Sequence, residues 1–245
     1  MAEVNRLNRL PLYLQLKEVI IEKIDNGEWL PGDKIPTEES LQKQFDISRI
    51  TVRQAITDLV VSGSLTRMQG KGTFVAEPKL ENIRPELTSF THEMSENHLV
   101  GSLVLDCSNV MASERLRRKF DLPPNSEVMK LERIRLVDGL PIGVNKVFLN
   151  TSITPQAHLS KYDFSSHSLY AALALEGVEL SEAEETVEAS LADDLQASLL
   201  NIPVGAPILL LTRLTKLKDG RTYEYAEMVF RADKYKYTIK LNLKS

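Results

Sequence analysis

The chain has 245 residues, 30 Lys/Arg against 34 Asp/Glu, a formal net charge of −4 and one cysteine. That length exceeds a single small module and allows a second core, while the net acidity excludes indiscriminate polyanion binding, so any nucleic-acid surface must be local. No apolar run approaches the roughly 20 residues of a membrane span. The start, Met1-Ala2-Glu3-Val4-Asn5-Arg6, has no signal-peptide character, and the lone Cys107 excludes an internal disulfide or thiolate cluster. Together these predict a cytoplasmic protein in which Cys107 is a small buried side chain.

Three helices are expected first. The first runs from Pro11, at the first helical position, to Asn26, with Gly27 as its stop and Leu12, Leu16, Val19, Ile20 and Ile24 as its apolar face. After the Pro31-Gly32 turn, Thr37 caps a second helix that points Leu41 and Phe45 inward. Asp46-Ile47-Ser48 is a tight turn, and Ser48 caps a third helix that ends at about Ser62 before Gly63. Val52, Ala55, Ile56, Leu59 and Val60 recur at spacings of three and four, which buries one stripe. The free side carries Arg49, Thr51 and Arg53, groups suited to guanine edges and phosphate oxygens. Two short strands, Leu65-Thr66-Arg67-Met68 and Thr73-Phe74-Val75, flank the tip Gln69-Gly70-Lys71-Gly72, a wing whose small residues let a lysine approach a minor groove. A strand follows this Gly-rich tip and the Walker spacing is absent, so it is no nucleotide loop. Residues 1 to 76 balance ten Lys/Arg against ten Asp/Glu, yet between Ser48 and Thr73 the cations Arg49, Arg53, Arg67 and Lys71 oppose Asp58 alone. The competing reading of Arg49 and Arg53 is a solvated face with salt bridges; that of Thr51 and Gln69 is local capping or turn bonding.

Residues 77–86 are polar with two prolines and read as a linker about which the domains pivot. The remainder repeats itself. Leu122 to Ile134 parallels Ile202 to Leu214 residue for residue; Asp138-Gly139 then parallels Asp219-Gly220, and Val147-Phe148 parallels Val229-Phe230. With helices around Ser113 to Phe120 and Asp193 to Leu200, each copy reads as helix, turn, strand, Asp-Gly hairpin, strand. Two copies make one antiparallel sheet with helices on its face, a single α+β domain. Arg133 and Arg135, two apart on a strand in register with Leu131 and Val137, put two guanidinium groups on a largely apolar face, and such groups want an anion. Ser168, near the start of a helix that continues through Tyr170, adds a hydroxyl. The alternatives are pairing of Arg133 and Arg135 with Glu224 or Glu227, and core packing of Tyr170. Glu182-Ala183-Glu184-Glu185 reads as a solvated edge, the run Glu114 to Lys119 as an amphipathic surface helix, and His92, His98, His158 and His167 show no metal-ligand spacing.

The segments Leu30 to Glu38, Ser48 to Ile56 and Gln69 to Val75, with Leu12-Tyr13 and Ile24, resemble the winged helix-turn-helix of the GntR family of bacterial transcription regulators. The resemblance implies base or phosphate contacts from Arg49 and Arg53, phosphate contacts from Ser48 and Thr51, and minor-groove contacts from Gly70, Lys71 and Gly72. Glu39 departs from it, since many members carry an arginine there. From about Leu87 to the end, Leu87 to Met94, Leu131 to Arg135, Asp138 to Ile142, Ser168 to Tyr170, Val204 to Leu209 and Tyr223 to Glu227 resemble the effector-binding (UTRA) domain of the HutC branch, whose fold is similar to chorismate lyase. This implies a pocket walled by Ser89, Phe90, Arg133, Arg135, Ser168, Tyr170 and Glu224, with Asn145 where some relatives carry a glutamate. The expected division is residues 1–76, a linker at 77–86, and 87–245. The expected protein is a homodimeric repressor of a palindromic operator, released by a sugar phosphate, amino-sugar phosphate or carboxylate and needing no cofactor or metal. An activator of the same architecture, and a chorismate-lyase-type enzyme fused to a DNA-binding domain, are the alternatives.

Overall fold

The computed structural model describes residues 4–5, 8–83, 90 and 98–239, with backbone alone at 81–83. Its contacts divide it into two compact units: the described residues up to Lys79 together with Ala232–Lys234, and those from Leu80 to Arg231 and from Tyr235 onward. No helix among them is long and apolar enough to cross a membrane.

In the first unit, α1 (Leu12–Asp25), α2 (Glu38–Phe45) and α3 (Arg49–Val61) precede a two-stranded wing of β1 (Leu65–Met68) and β2 (Gly72–Val75). The apolar spacings become one core: Leu16 and Ile20 of α1, Leu41 of α2, and Val52, Ala55, Ile56 and Leu59 of α3 pack with Leu65 and Val75. Pro11 departs from expectation. With ψ 140° it lies outside the helix as its N-cap, its carbonyl accepting from Leu14 and Gln15. Thr37 and Ser48 cap as expected, accepting from the amides of Ser40 at 3.1 Å and Thr51 at 3.2 Å. Asp46 turns the chain between α2 and α3 in the left-handed region, φ 49°, which its short polar side chain tolerates.

The second unit is a six-stranded antiparallel sheet in the order β4-β5-β6-β9-β8-β7. Its strands are β4 (Val100–Met111), β5 (Glu127–Val137), β6 (Leu140–Leu149), β7 (Leu180–Leu191), β8 (Pro207–Leu217) and β9 (Thr222–Arg231); its helices are α4 (Glu114–Phe120), α5 (Leu169–Leu175) and α6 (Asp194–Leu200). The internal repeat is therefore strand, helix, strand, strand. Each copy gains a leading strand, β4 or β7, that the sequence reading lacked, and these two form the sheet edges. On one face Leu131, Val147, Leu149, Leu211, Tyr223 and Phe230 pack with Leu169 and Leu173 of α5. On the other, α4 covers Val128 and Tyr225, and α6 covers Ile134, Val144 and Ile208. The Asp138-Gly139 hairpin has positive φ at both residues, 50° and 77°, the primed turn that suits strand twist.

Two further expectations are corrected, and one strand pairing is new. Within the segment expected as a linker, β3 (Leu80–Ile83) pairs in parallel with β10 (Tyr235–Thr238), a partner too distant in sequence for local patterning to reveal. Cys107 is exposed rather than buried, since it lies on edge strand β4, and desolvation with nearby Asp106 raises its pKa. Glu185 leaves the solvated edge and points at the sheet interior, where it pairs with Arg213.

Gly143 is needed for close approach. A Cβ there would lie 2.5 Å from Phe230 Cδ1 and 2.8 Å from the carbonyl oxygen of Val229. Gly143→Ala should cost about 1–3 kcal/mol through overpacking and displace the Phe230 ring. A melting temperature within 1 °C of the parent, on the order of a few tenths of a kcal/mol, would show that the sheet absorbs the methyl without strain.

Candidate functional site

Strand alternation and register assemble one polar cluster on the α5 face of the sheet. Arg133, Asn145 and Met228 lie in one cross-strand row, and Arg135, Gly143 and Phe230 in the next. A small cavity of about 50 Å³ opens among them, walled by Phe90, Arg133, Arg135, Asn145, Ser168, Tyr170, Arg213 and Glu224 over an apolar floor of Val147, Ala226 and Met228. Seven of the eight residues expected around a pocket are thus brought together; Ser89 lies outside the described residues.

Arg133 is 4% exposed, and its Nη1 donates to the Phe164 carbonyl at 3.4 Å while its Nε has no partner. Among the described residues no carboxylate lies within ion-pair distance of Arg133. Burial accordingly lowers its pKa from the ordinary arginine value to about 10, with Glu224 opposing that shift. Arg135 is 2% exposed, donates to Ser102 Oγ at 2.8 Å and lies over the Phe90 ring at 4.6 Å. Asn145 Oδ1 is buried with no hydrogen-bond partner. Arg133 and Asn145 thus line the cavity with a donor and an acceptor to spare, which is costly unless something answers them.

The opposite wall is a network. Tyr170 and Thr215 each donate to Glu224 Oε2 at 2.6 Å, and Arg213 Nη1 donates to the Tyr170 hydroxyl at 3.1 Å while its Nε donates to Glu185 at 2.6 Å. Tyr170 is therefore a cavity wall as well as a core contact. Ser168 lines the cavity and also caps α5, its Oγ accepting from the Ala171 amide at 3.4 Å. Glu227 points to the other face, where it pairs with Arg115 at 2.8 Å. Arg213 is the wall residue that sequence reading missed. The repeat contained the signal, because it aligns Arg213 with Arg133.

Burial pushes the Glu224 carboxyl above its ordinary value, more than the Thr215 and Tyr170 hydrogen bonds and Arg133 pull it down. A raised folded value contributes stability that is whole below the unfolded carboxylate range and is lost as pH rises through the folded value. Glu224→Gln should therefore flatten the fall in melting temperature as pH rises above the unfolded carboxylate range. Superimposable pH profiles for parent and variant would remove Glu224 as the source.

In the first unit the expected DNA-facing residues also share one surface. Ser48, Arg49, Thr51 and Arg53 occupy the N-cap and opening turns of α3, Arg67 lies on β1, and Gln69, Gly70, Lys71 and Gly72 form the wing tip. Gly70 and Gly72 have φ of 73° and 128°. The capping role of Ser48 also holds Thr51, whose hydroxyl lies 2.8 Å from Ser48 Oγ. Ile50 is 82% exposed between Arg49 and Thr51, an apolar group outside the buried core. Glu39 pairs with Lys43 at 2.7 Å, one helical turn on. The arginines do form salt bridges, all with Glu38: Arg49 and Arg53 through Nε at 4.0 and 3.8 Å, and Arg67 through Nη2 at 3.3 Å.

Residues 12–75 match the family of bacterial regulatory proteins called gntR, and residues 95–236 match the UTRA domain. The chain is 33% identical to the HTH-type transcriptional repressor NagR of Bacillus subtilis (strain 168) across 96% of both chains. It is 34% identical to the histidine utilization repressor of Pseudomonas putida, across 84% of this chain and 82% of that one. Among solved structures, PhnF from Mycobacterium smegmatis superposes with a TM-score of 0.65 at 26% identity, covering 93% of this chain and 99% of the other.

Proposed function

Since the chain belongs to the GntR family of bacterial regulatory proteins and carries a UTRA domain, it is a ligand-responsive DNA-binding transcription regulator, and we propose that it represses a palindromic operator as a cytoplasmic homodimer until a small anionic metabolite releases it. Family and relatives are transcription regulators, which are not enzymes. In this reading residues 1–76 supply the DNA contacts and residues from 87 onward the effector site. One winged helix reads only a few base pairs, whereas a two-fold pair reads both halves of a palindrome.

The observation that carries the effector class is the buried arginine pair: among the described residues no carboxylate lies within ion-pair distance of Arg133, and its Nε has no hydrogen-bond partner there. A phosphate or carboxylate supplies the missing charge through paired N–H donors, and Asn145 Oδ1 then accepts from a hydroxyl or amide on the same molecule. Sugar phosphates, amino-sugar phosphates and hydroxylated carboxylates meet both demands. In this reading binding rearranges the walls of the cavity. Such a ligand discriminates between two dimer arrangements, the condition for shifting their populations. It favours the arrangement whose wings no longer match the half-site spacing.

A thermal-shift screen of small phosphates and carboxylates on the full-length protein, with hits then added to the protein bound to a duplex it selects from a random library, tests this. A ligand at about a hundred times its Kd adds roughly 2.7 kcal/mol of apparent stability. Hits that stabilise and release the duplex are expected; anions that leave both melting and duplex binding unmoved would defeat the effector class.

A further inference from the structure

Three cations from two elements, α3 and β1, converge on one carboxylate of α2 at the DNA-facing surface. Glu38 is the first residue of α2, Arg49 and Arg53 lie one turn apart on α3, and Arg67 is on β1. The carboxylate is the fixed centre of the group: the Glu38 side chain is 25% exposed, whereas those of Arg49, Arg53 and Arg67 are 70%, 63% and 48% exposed. Its place in the first turn of α2 is one where a helix favours negative charge. The chemistry of the contact decides what the arginines can still do. Arg49 and Arg53 approach Glu38 most closely with Nε, at 4.0 and 3.8 Å, which leaves the two terminal nitrogens of each fork outside the ion pair. Those are the donors that pair with O6 and N7 of guanine.

We propose that Glu38 is a positioning residue for operator readout: it holds Arg49 and Arg53 by Nε so that their terminal nitrogens read bases, and it penalises their capture by phosphate. A guanidinium that swings to the sugar-phosphate backbone must leave the carboxylate and bring that carboxylate's charge near the phosphates. One that reads a guanine edge keeps both partners. Glu38 therefore favours selected sequence over arbitrary duplex, a discrimination that a chain of net charge −4 needs from a local patch of cations. The proposal rests on the DNA-reading role of α3.

The test uses the full-length protein, a duplex that it selects from a random library, and a shuffled duplex of the same composition. Glu38→Gln keeps size and polarity and removes the charge. Its ratio of selected to shuffled affinity is expected to fall by about tenfold or more, with the shuffled affinity unchanged or higher. A preserved ratio, or equal loss on both duplexes, overturns the proposal and leaves Glu38 a role in the fold alone. A second measurement needs no variant. In the unaltered protein bound to the selected duplex, the Nε–H resonances of Arg49 and Arg53 should exchange slowly with solvent, and rapid exchange of both overturns the proposal. If the unaltered protein enriches no duplex at all, the DNA reading of α3 falls first, and this assignment with it.

Discussion

Replacing Arg133 by Met is expected to weaken release by the effector about a hundredfold or more while raising the melting temperature measured without it. The two halves of that result come from the same property. Arg133 is 4% exposed, its Nε has no partner, and its pKa is lowered to about 10 because burial penalises the cation. A depression of that size corresponds to about 3 kcal/mol of unfavourable charge burial. Replacing even a buried ion pair by apolar side chains of similar volume is often neutral or stabilising by about 1–4 kcal/mol, and a cation without a close carboxylate has less to lose. The sign of the linkage agrees: a cation with a depressed folded value weighs against the fold at every pH below about 10, so the gain should persist through neutrality. The lost function should be larger. Charge-assisted hydrogen bonds contribute about 1.5–3 kcal/mol each, and a paired contact to an anion loses two of them. Titration of the duplex-bound variant with an effector that releases the parent should show a shift of on the order of a hundredfold or more. Release at the parent's concentration would take Arg133 out of the site.

The parts of this molecule that could be read in advance are those where a local pattern has one physical solution. The stripe Val52, Ala55, Ile56 and Leu59 can be buried together only on a helix, and Ser48 and Thr37 stand where a helix needs an acceptor for its free amides. Arg133 and Arg135 share a face because side chains alternate along a strand, which is enough to predict an anion-seeking surface without knowing its surroundings. What was missed belongs to contacts between distant segments. Strand β7 carries Glu182, Glu184 and Glu188 on an edge where solvent is available, so its composition looks like loop, and β4 hides for the same reason. The pairing of β3 with β10 joins segments with nothing local in common. Glu38 reads as an ordinary first-turn acid until the fold sets Arg49, Arg53 and Arg67 around it. Glu185 likewise acquires its meaning only from Arg213 across the strand pair Glu185 to Arg213. Cys107 was assigned inward by the habit of its residue type, whereas its position is set by an edge strand with a free side.

Arg53→Ala should cost about 1–3 kcal/mol of binding to the selected duplex, a loss of roughly 5- to 150-fold, and much less on a shuffled one. The fold gives no reason for general damage. Arg53 is exposed in the second turn of α3, and alanine is the best helix former at such a position, so the melting temperature should barely move. The selectivity of the loss distinguishes this residue from Lys71 at the wing tip. If Lys71 contacts phosphate, Lys71→Ala should weaken both duplexes alike and reduce the slope of log affinity against log salt by about one. If Arg53 reads a base edge, Arg53→Ala should by contrast change the preferred base at one position of each half-site, because a lost base contact alters sequence preference where a lost phosphate contact does not. Glu38 also enters the expectation. With Arg53 gone its carboxylate retains Arg49 and Arg67, so readout by Arg49 should survive and the remaining half-site preferences should stay intact. Selection from a random duplex library with the parent and the variant, followed by affinity measurement on the duplexes each prefers, decides the matter. An unchanged preference together with unchanged affinity would show that Arg53 is no more than a solvated partner of Glu38.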